Sequence, residues 1–104
     1  MSRLALCLSA ALLFSTPFAA QANKALAEKN GCLGCHAVAA KLVGPAFTDV
    51  AAKYADQAGA NEMLAKSIRA GGAGKWGEMA MPPQSQLSEA DAKKLAAWVL
   101  GSAK

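Results

Sequence analysis

Hydrophobic and polar positions repeat with helical spacing in four short stretches, and no stretch alternates convincingly in the way that a half-buried strand does. The first predicted helix covers residues 23–30 and ends at Gly31, a natural helix stop. The second covers residues 46–55, where Phe47 and Tyr54 lie two turns apart. The pattern therefore predicts an all-helical chain.

The second half of the chain contains a long loop between two further predicted helices. The third helix covers residues 62–70, with Asn61 as its N-cap and two glycines after its last residue. Residues 71–86 are rich in glycine and proline and are predicted to be irregular. A loop of that length in a compact domain is usually functional or disordered.

The last predicted helix has the clearest signals at both ends. Ser88 and Asp91 form a start that resembles a capping box, and Gly101 ends the helix. Four apolar residues share one face of it: Ala92, Leu95, Ala96 and Val99.

The first 22 residues have the layout of a cleaved secretory signal peptide. Residues 1–3 are a short basic start, residues 4–14 are apolar, and residues 20–22 are a small-x-small cleavage site. The apolar stretch is shorter than the ~20 residues that a membrane span needs. We therefore expect a soluble mature domain over residues 23–104, exported to the periplasm.

Composition argues that something besides side chains fills the core. The chain has 11 Lys and Arg against 7 Asp and Glu, a formal charge of +4, with no basic run that would suggest nucleic-acid binding. The 82 residues after the signal peptide include 20 alanines and only four aromatic residues. A chain so short and so rich in alanine has difficulty in building a stable core unaided.

Cysteine positions indicate what that filler is. Cys7 lies inside the apolar part of the signal peptide, whereas a lipoprotein anchor, the alternative there, would follow it. The mature chain keeps Cys32 and Cys35, and His36 follows directly. This Cys-x-x-Cys-His spacing is the attachment signature of c-type haem. Two thiols form thioethers with the vinyl groups, and the imidazole coordinates the iron.

Other functions of the same five residues fit the chain less well. A structural zinc site needs four Cys or His ligands, and the mature chain has three such residues in all. A thioredoxin-like dithiol needs a βαβ context that an all-helical chain lacks. A disulfide between the two cysteines would close a very small loop and stabilise little.

A thioether is the expected second axial ligand, and the long loop offers two candidates. Met79 and Met81 both lie in it, and Pro82 and Pro83 restrict the backbone directly after Met81. Met63 lies on a helix face and is expected to fill space in the core.

Four motifs in this order resemble a small bacterial class I cytochrome c, a short periplasmic monohaem carrier. They are residues 32–36, Gly44-Pro45, Trp76-Gly77 and Met81-Pro82-Pro83. The similarity covers essentially all 82 mature residues. It implies an all-α fold of about four short helices around one covalently attached haem c, with the first and last helices packed crosswise.

The resemblance also assigns roles to single residues. Cys32 and Cys35 would form the thioethers, and His36 and Met81 would be the axial ligands. Pro45 would offer its carbonyl to the other ring nitrogen of the histidine.

The resemblance leaves three points open. Trp76 would donate its indole N–H to a haem propionate, unless it is an ordinary core aromatic residue. Either Arg69 or Lys75 would also meet the propionates. Gln84 stands where many relatives have an asparagine that supports the methionine sulfur, so that contact is uncertain here.

The implied function is one-electron transfer by a monomeric carrier rather than catalysis. Its donor would be a quinol-oxidising complex and its acceptor a terminal oxidase or a nitrite reductase. Two alternatives are a haem subunit held permanently by a larger oxidoreductase, and a ligand-sensing or peroxidase-like haem protein with an open iron position.

Overall fold

The computed structural model describes residues 18–102 and folds them into five helices joined by irregular segments. The helices are α1 (Phe18–Lys29), α2 (Cys32–Cys35), α3 (Phe47–Tyr54), α4 (Ala60–Ala70) and α5 (Glu89–Gly101). Within this range there is no strand, and one isolated antiparallel bridge joins Gly72 to Met81. The all-helical prediction is confirmed, with the single-turn α2 as one helix more than expected.

Helix α1 begins five residues before the predicted start. It runs from Phe18 through the predicted cleavage site at residues 20–22 and ends at Lys29. Alanine is the best helix former, and three of the five additional residues are alanine. Most of the predicted signal peptide, residues 1–17, lies outside the described residues. None of the helices within residues 18–102 is long and apolar enough to cross a membrane.

The predicted N-cap of α4 is wrong. The helix begins at Ala60, and Gly59 precedes it with a left-handed φ of 73° and no side-chain cap. Asn61 lies inside the first turn, and its side-chain amide donates to the carbonyl oxygen of Lys93 on α5 at 3.4 Å. A glycine in the left-handed region sets the direction of the chain here, where the sequence suggested a polar cap.

Helix α5 starts and packs as its sequence predicts. The Ser88 hydroxyl accepts a hydrogen bond from the backbone N–H of Asp91 at 3.1 Å, which satisfies one of the free donors of the first turn. All four apolar residues of the predicted face are buried: Ala92, Leu95, Ala96 and Val99.

Helix α5 is also the centre of the fold, because α1, α3 and α4 all contact it. Ala92 and Ala96 are fully buried, at 0% exposure, and pack with Ala65 of α4. Leu95 packs with Ala27 of α1, which gives the expected contact between the first and last helices. Small side chains let these helices approach closely.

Removal of the α5 cap tests this local reading. Ser88→Ala should lower the free energy of unfolding by about 1 kcal/mol, because the Asp91 N–H loses its acceptor. Guanidine unfolding of the haem-loaded protein measures the change.

Ser85→Ala is the matched control, since Ser85 is exposed and its hydroxyl makes no hydrogen bond within residues 18–102. Equal effects of the two variants would contradict the capping role.

Candidate functional site

A large cavity lies between the Cys-x-x-Cys-His motif, the long loop and helices α3, α4 and α5. Its empty space, including the part open to solvent, is about 1380 Å³. Most of the lining side chains are apolar, as in sites that bind large organic cofactors. The helices thus surround a space that their own side chains do not fill.

The two cysteines reach this cavity from α2. Gly31 precedes the helix in the left-handed region, with φ of 73°, where glycine has no steric cost. Cys32 is half-buried, Cys35 is exposed, and both are free thiols rather than a disulfide. Burial raises the pKa of the Cys32 thiol, an effect that a backbone hydrogen bond partly offsets.

His36 follows α2 and is held by its ring as well as by its backbone. Its backbone N–H donates to the Cys32 carbonyl at 2.9 Å, and its Nδ1 lies 2.8 Å from the Pro45 carbonyl oxygen. A carbonyl oxygen can only accept, so Nδ1 carries the proton in this contact. In the neutral ring, Nε2 then keeps a free lone pair that can bind a metal ion.

An aromatic ring packs against one face of the imidazole. The Phe47 ring stacks on His36 with centroids 4.9 Å apart and an angle of 22° between the planes. Trp98 of α5 meets Phe47 edge to face at 5.3 Å. The orientation of the histidine is therefore tied to the central helix through two aromatic contacts.

Gly44 gives the imidazole its space. A Cβ atom built on Gly44 would lie 2.5 Å from Cε1 and 2.8 Å from Nδ1 of His36. Real Cβ contacts are not so short, so any larger residue would displace the ring. The Gly44 N–H also donates to the Cys35 carbonyl at 2.7 Å, which closes the segment after the motif.

Met81 enters the cavity lining from the long loop. Its backbone exchanges two hydrogen bonds with Gly72, of 2.8 and 3.1 Å. The neighbouring Gly71 has φ of 68°, and a Cβ there would lie 2.5 Å from the Met81 carbonyl oxygen. The glycines after α4 thus let the loop segment around Met81 lie directly against the end of the helix.

All three candidate methionines line the same cavity but differ in exposure. Met81 is half-buried, whereas the Met79 side chain is 71% exposed. Met63 lies on α4, packs against the cluster around Phe47, and lies 3.9 Å from the Ser67 hydroxyl through its sulfur.

Trp76 lines the outer part of the cavity and is 37% exposed. It meets Tyr54 edge to face at 6.5 Å, and the Lys53 ammonium lies 4.6 Å from its ring centre. Lys75 also lines the cavity. Arg69 contacts other groups, because its Nε donates to the Leu87 carbonyl at 3.0 Å and its Nη1 lies 3.6 Å from Glu89.

The Gln84 amide makes local contacts. Its Nε2 donates to the Pro82 carbonyl at 3.0 Å, and its Oε1 accepts from Gln86 at 2.9 Å. Among the described residues it is not part of the cavity lining. Both ends of the Gln84 amide are therefore hydrogen-bonded to residues two positions away in the chain.

Sequence reasoning did not identify the part that four residues play at this site. The pattern placed Phe47 and Tyr54 in a helix core, and they also form a wall of the cavity. Lys53 had no signal beyond a charge on a helix. The steric role of Gly44 could be read only as part of the Gly-Pro pair, since neither spacing nor composition shows which ring it would touch.

These residues fit a covalently attached haem. The cavity is large and mostly apolar, and two free thiols, an imidazole with a free Nε2 and a half-buried thioether line it. Within residues 18–102, no cluster of three or more His, Cys, Asp or Glu side chains could hold a metal ion by itself.

Comparison with known proteins identifies the family of this chain. Residues 20–103 match the family model described as Cytochrome c. Cytochrome c-552 of Nitrosomonas europaea is 53% identical over 81 residues, which cover 78% of this chain and 79% of the relative. Cytochrome c-551 of Azotobacter vinelandii is 52% identical over 80 residues, or 77% of this chain and 96% of the relative.

Solved structures show the same fold. The crystal structure of wild-type Nitrosomonas europaea cytochrome c552 superposes with a TM-score of 0.74 at 51% identity, covering 76% of this chain and 98% of that one. The Class 1 cytochrome MtoD of Sideroxydans lithotrophicus gives a TM-score of 0.68 at 27% identity, covering 81% and 96%. The chain therefore belongs to the cytochrome c family, whose members carry covalently attached haem c for electron transfer, and it has the class I fold.

Proposed function

We propose that residues 1–22 are a cleaved signal peptide and that residues 23–104 form a periplasmic one-electron carrier. Cys32 and Cys35 attach its single haem c, and His36 and Met81 are the axial ligands. When bound, the haem iron supplies one-electron exchange between its ferrous and ferric states.

One observation carries this proposal: His36 and Met81 line a single cavity, and each is positioned by backbone contacts. With His36 and Met81 both holding the iron, no position would remain for the substrate or peroxide that the ligand-sensing and peroxidase-like alternatives require. The Pro45 carbonyl accepts the Nδ1 proton and so fixes the tautomer in which the Nε2 lone pair is free.

Trp76 and Lys75 are the groups proposed for the propionate end, because both line the cavity. The indole N–H and the ammonium would satisfy carboxylates that otherwise lie at the edge of an apolar site. Arg69 is less suited, since Leu87 and Glu89 already occupy its guanidinium.

The proposed partners are redox proteins of a respiratory chain. A quinol-oxidising complex would be the donor, and a terminal oxidase or nitrite reductase the acceptor. The carrier would act as a free monomer. A permanent haem subunit is the competing arrangement, and size-exclusion chromatography of the protein from its native source distinguishes the two.

The two loop methionines test the axial ligand. Met81→Ala should remove the long-wavelength sulfur-to-iron band of the oxidised protein, lower the reduction potential and admit imidazole, because the sixth position opens. The haem should stay attached through its thioethers. Optical spectra and a redox titration measure these changes.

Met79→Ala is the control and should leave the band almost unchanged, since Met79 is 71% exposed. Loss of the band in Met79→Ala but not in Met81→Ala would show that the ligand assignment is wrong. Loss in neither variant would point to Met63 or a lysine nitrogen.

Attachment of the haem should also be required for folding. Cys32→Ala combined with Cys35→Ala should leave the exported chain largely unfolded without bound haem, because the cofactor stabilises only the folded state. Circular dichroism of the purified chain measures the helix that remains.

Cys7→Ala is the cysteine control, since Cys7 lies in the proposed signal peptide. It should yield mature protein like the wild type. A cooperative, helical double variant without haem would contradict the proposed role of the cofactor in the core.

The space at Gly44 provides a test of the histidine. Gly44→Ala should cost about 1–3 kcal/mol of stability, because the new methyl group meets the His36 ring. Denaturant unfolding measures the cost, and the visible spectrum reports the strength of the axial ligands.

Gly34→Ala is the matched control, as a Cβ on Gly34 meets no atom within 4 Å. This variant should stay within about 0.5 kcal/mol of the wild type. Equal destabilisation by both substitutions would show that contact with His36 is not the cause.

A further inference from the structure

The part of the long loop between the two bridge residues, residues 73–80, forms a flap that lines one side of the cavity. Its two ends meet at the Gly72–Met81 bridge, and the Gly74 N–H donates to the Gly77 carbonyl at 3.1 Å inside it. Every residue of the flap is exposed. No side-chain hydrogen bond or ion pair from the flap is found within residues 18–102.

Trp76 is the flap side chain that contacts α3. Its indole meets the Tyr54 ring edge to face at 6.5 Å, with 77° between the planes. Tyr54 is itself a rigid support, because it is 8% exposed and belongs to the core cluster with Phe47 and Val50. The flap is thus attached through one aromatic side chain to the last turn of α3.

A charge completes this contact. The Lys53 ammonium lies 4.6 Å from the centre of the Trp76 ring and 5.5 Å from that of Tyr54. Both distances are within the ~6 Å reach of a cation–π interaction. Lys53 makes no ion pair with an acidic side chain in the described part of the chain. Its charge therefore acts on the two rings rather than on a carboxylate.

We propose that Lys53 is a positioning residue whose ammonium holds the Trp76 indole against Tyr54 and so keeps the flap closed over the cavity. This inference rests on the proposed function for its consequence, because the flap leads directly into the ligand Met81. Closing the flap keeps Trp76 at the wall of the cavity. It also limits the motion of Met81, which lies at the end of the flap.

The first test measures the flap itself. In haem-loaded protein, Lys53→Gln should raise amide exchange of Gly72 and Met81 by roughly 3- to 10-fold, the loss expected for one partly exposed cation–π contact. Lys53→Arg keeps the charge and the aromatic contact, so exchange should stay within about 2-fold of the wild type.

Lys66→Gln is the matched control, since it removes the same charge from an exposed position on α4 that is not part of the cavity lining. Equal exchange in Lys53→Gln and Lys66→Gln would overturn the proposal. So would equal acceleration by Lys53→Arg and Lys53→Gln, or equal acceleration of the α5 core amides. Unprotected Gly72 and Met81 amides in the wild type would also overturn it.

The second test measures access to the iron. Lys53→Gln should raise the apparent affinity of the ferric protein for imidazole by roughly the same 3- to 10-fold, because the open population grows. An unchanged affinity beside faster amide exchange would overturn the link between flap and ligand. Absence of the sulfur-to-iron band in the wild type would instead contradict the proposed function, and amide exchange alone would then decide the role of Lys53.

Discussion

The rest of this structure depends on helices that pack closely and still enclose a space that their own side chains do not fill. The most deeply buried residues are alanines such as Ala92 and Ala96 of α5, which pack against α4. The large side chains Phe47 and Trp98 line the cavity. Burial of apolar area is the main source of stability, so a domain arranged in this way needs a large apolar group in its centre. The cofactor is in that sense part of the core.

The two irregular segments, residues 36–46 and 71–88, place His36 and Met81 beside the same cavity. Backbone hydrogen bonds tie each segment close to these two residues. Gly44 bonds to the Cys35 carbonyl, and Gly72 pairs with Met81. Glycines stand at both points of closest approach, because a Cβ at Gly44 or Gly71 would overlap its neighbour. Glycine thus permits a close approach of the backbone at these two points, where a side chain would not fit.

Much of the fold could be predicted from the sequence, because apolar residues at helical spacing identify an element whatever it packs against. The α5 cap and face follow directly from Ser88 and the apolar face that begins at Ala92. The start of α4 could not be predicted. Asparagine is a residue type that often caps helices, so Asn61 was favoured, whereas Gly59 precedes the helix because of its left-handed backbone conformation. The Cys-x-x-Cys-His motif was sufficient to predict the covalently attached haem. The stacking of Phe47 on His36 and the contact of Lys53 with Trp76 depend on how distant segments approach, which local spacing does not encode.

The partner of the histidine is a main-chain atom, and this affects how the site can vary. A carboxylate in the place of the Pro45 carbonyl would add a titratable charge beside the ring, and a single substitution could remove it. The carbonyl oxygen remains whatever side chain residue 45 carries, and it does not ionise at any physiological pH. A substitution of Pro45 can therefore change the direction of this carbonyl, because proline restricts the backbone angles, but no substitution can remove the carbonyl itself. The hydrogen-bond acceptor of the imidazole is thereby protected from most point mutations.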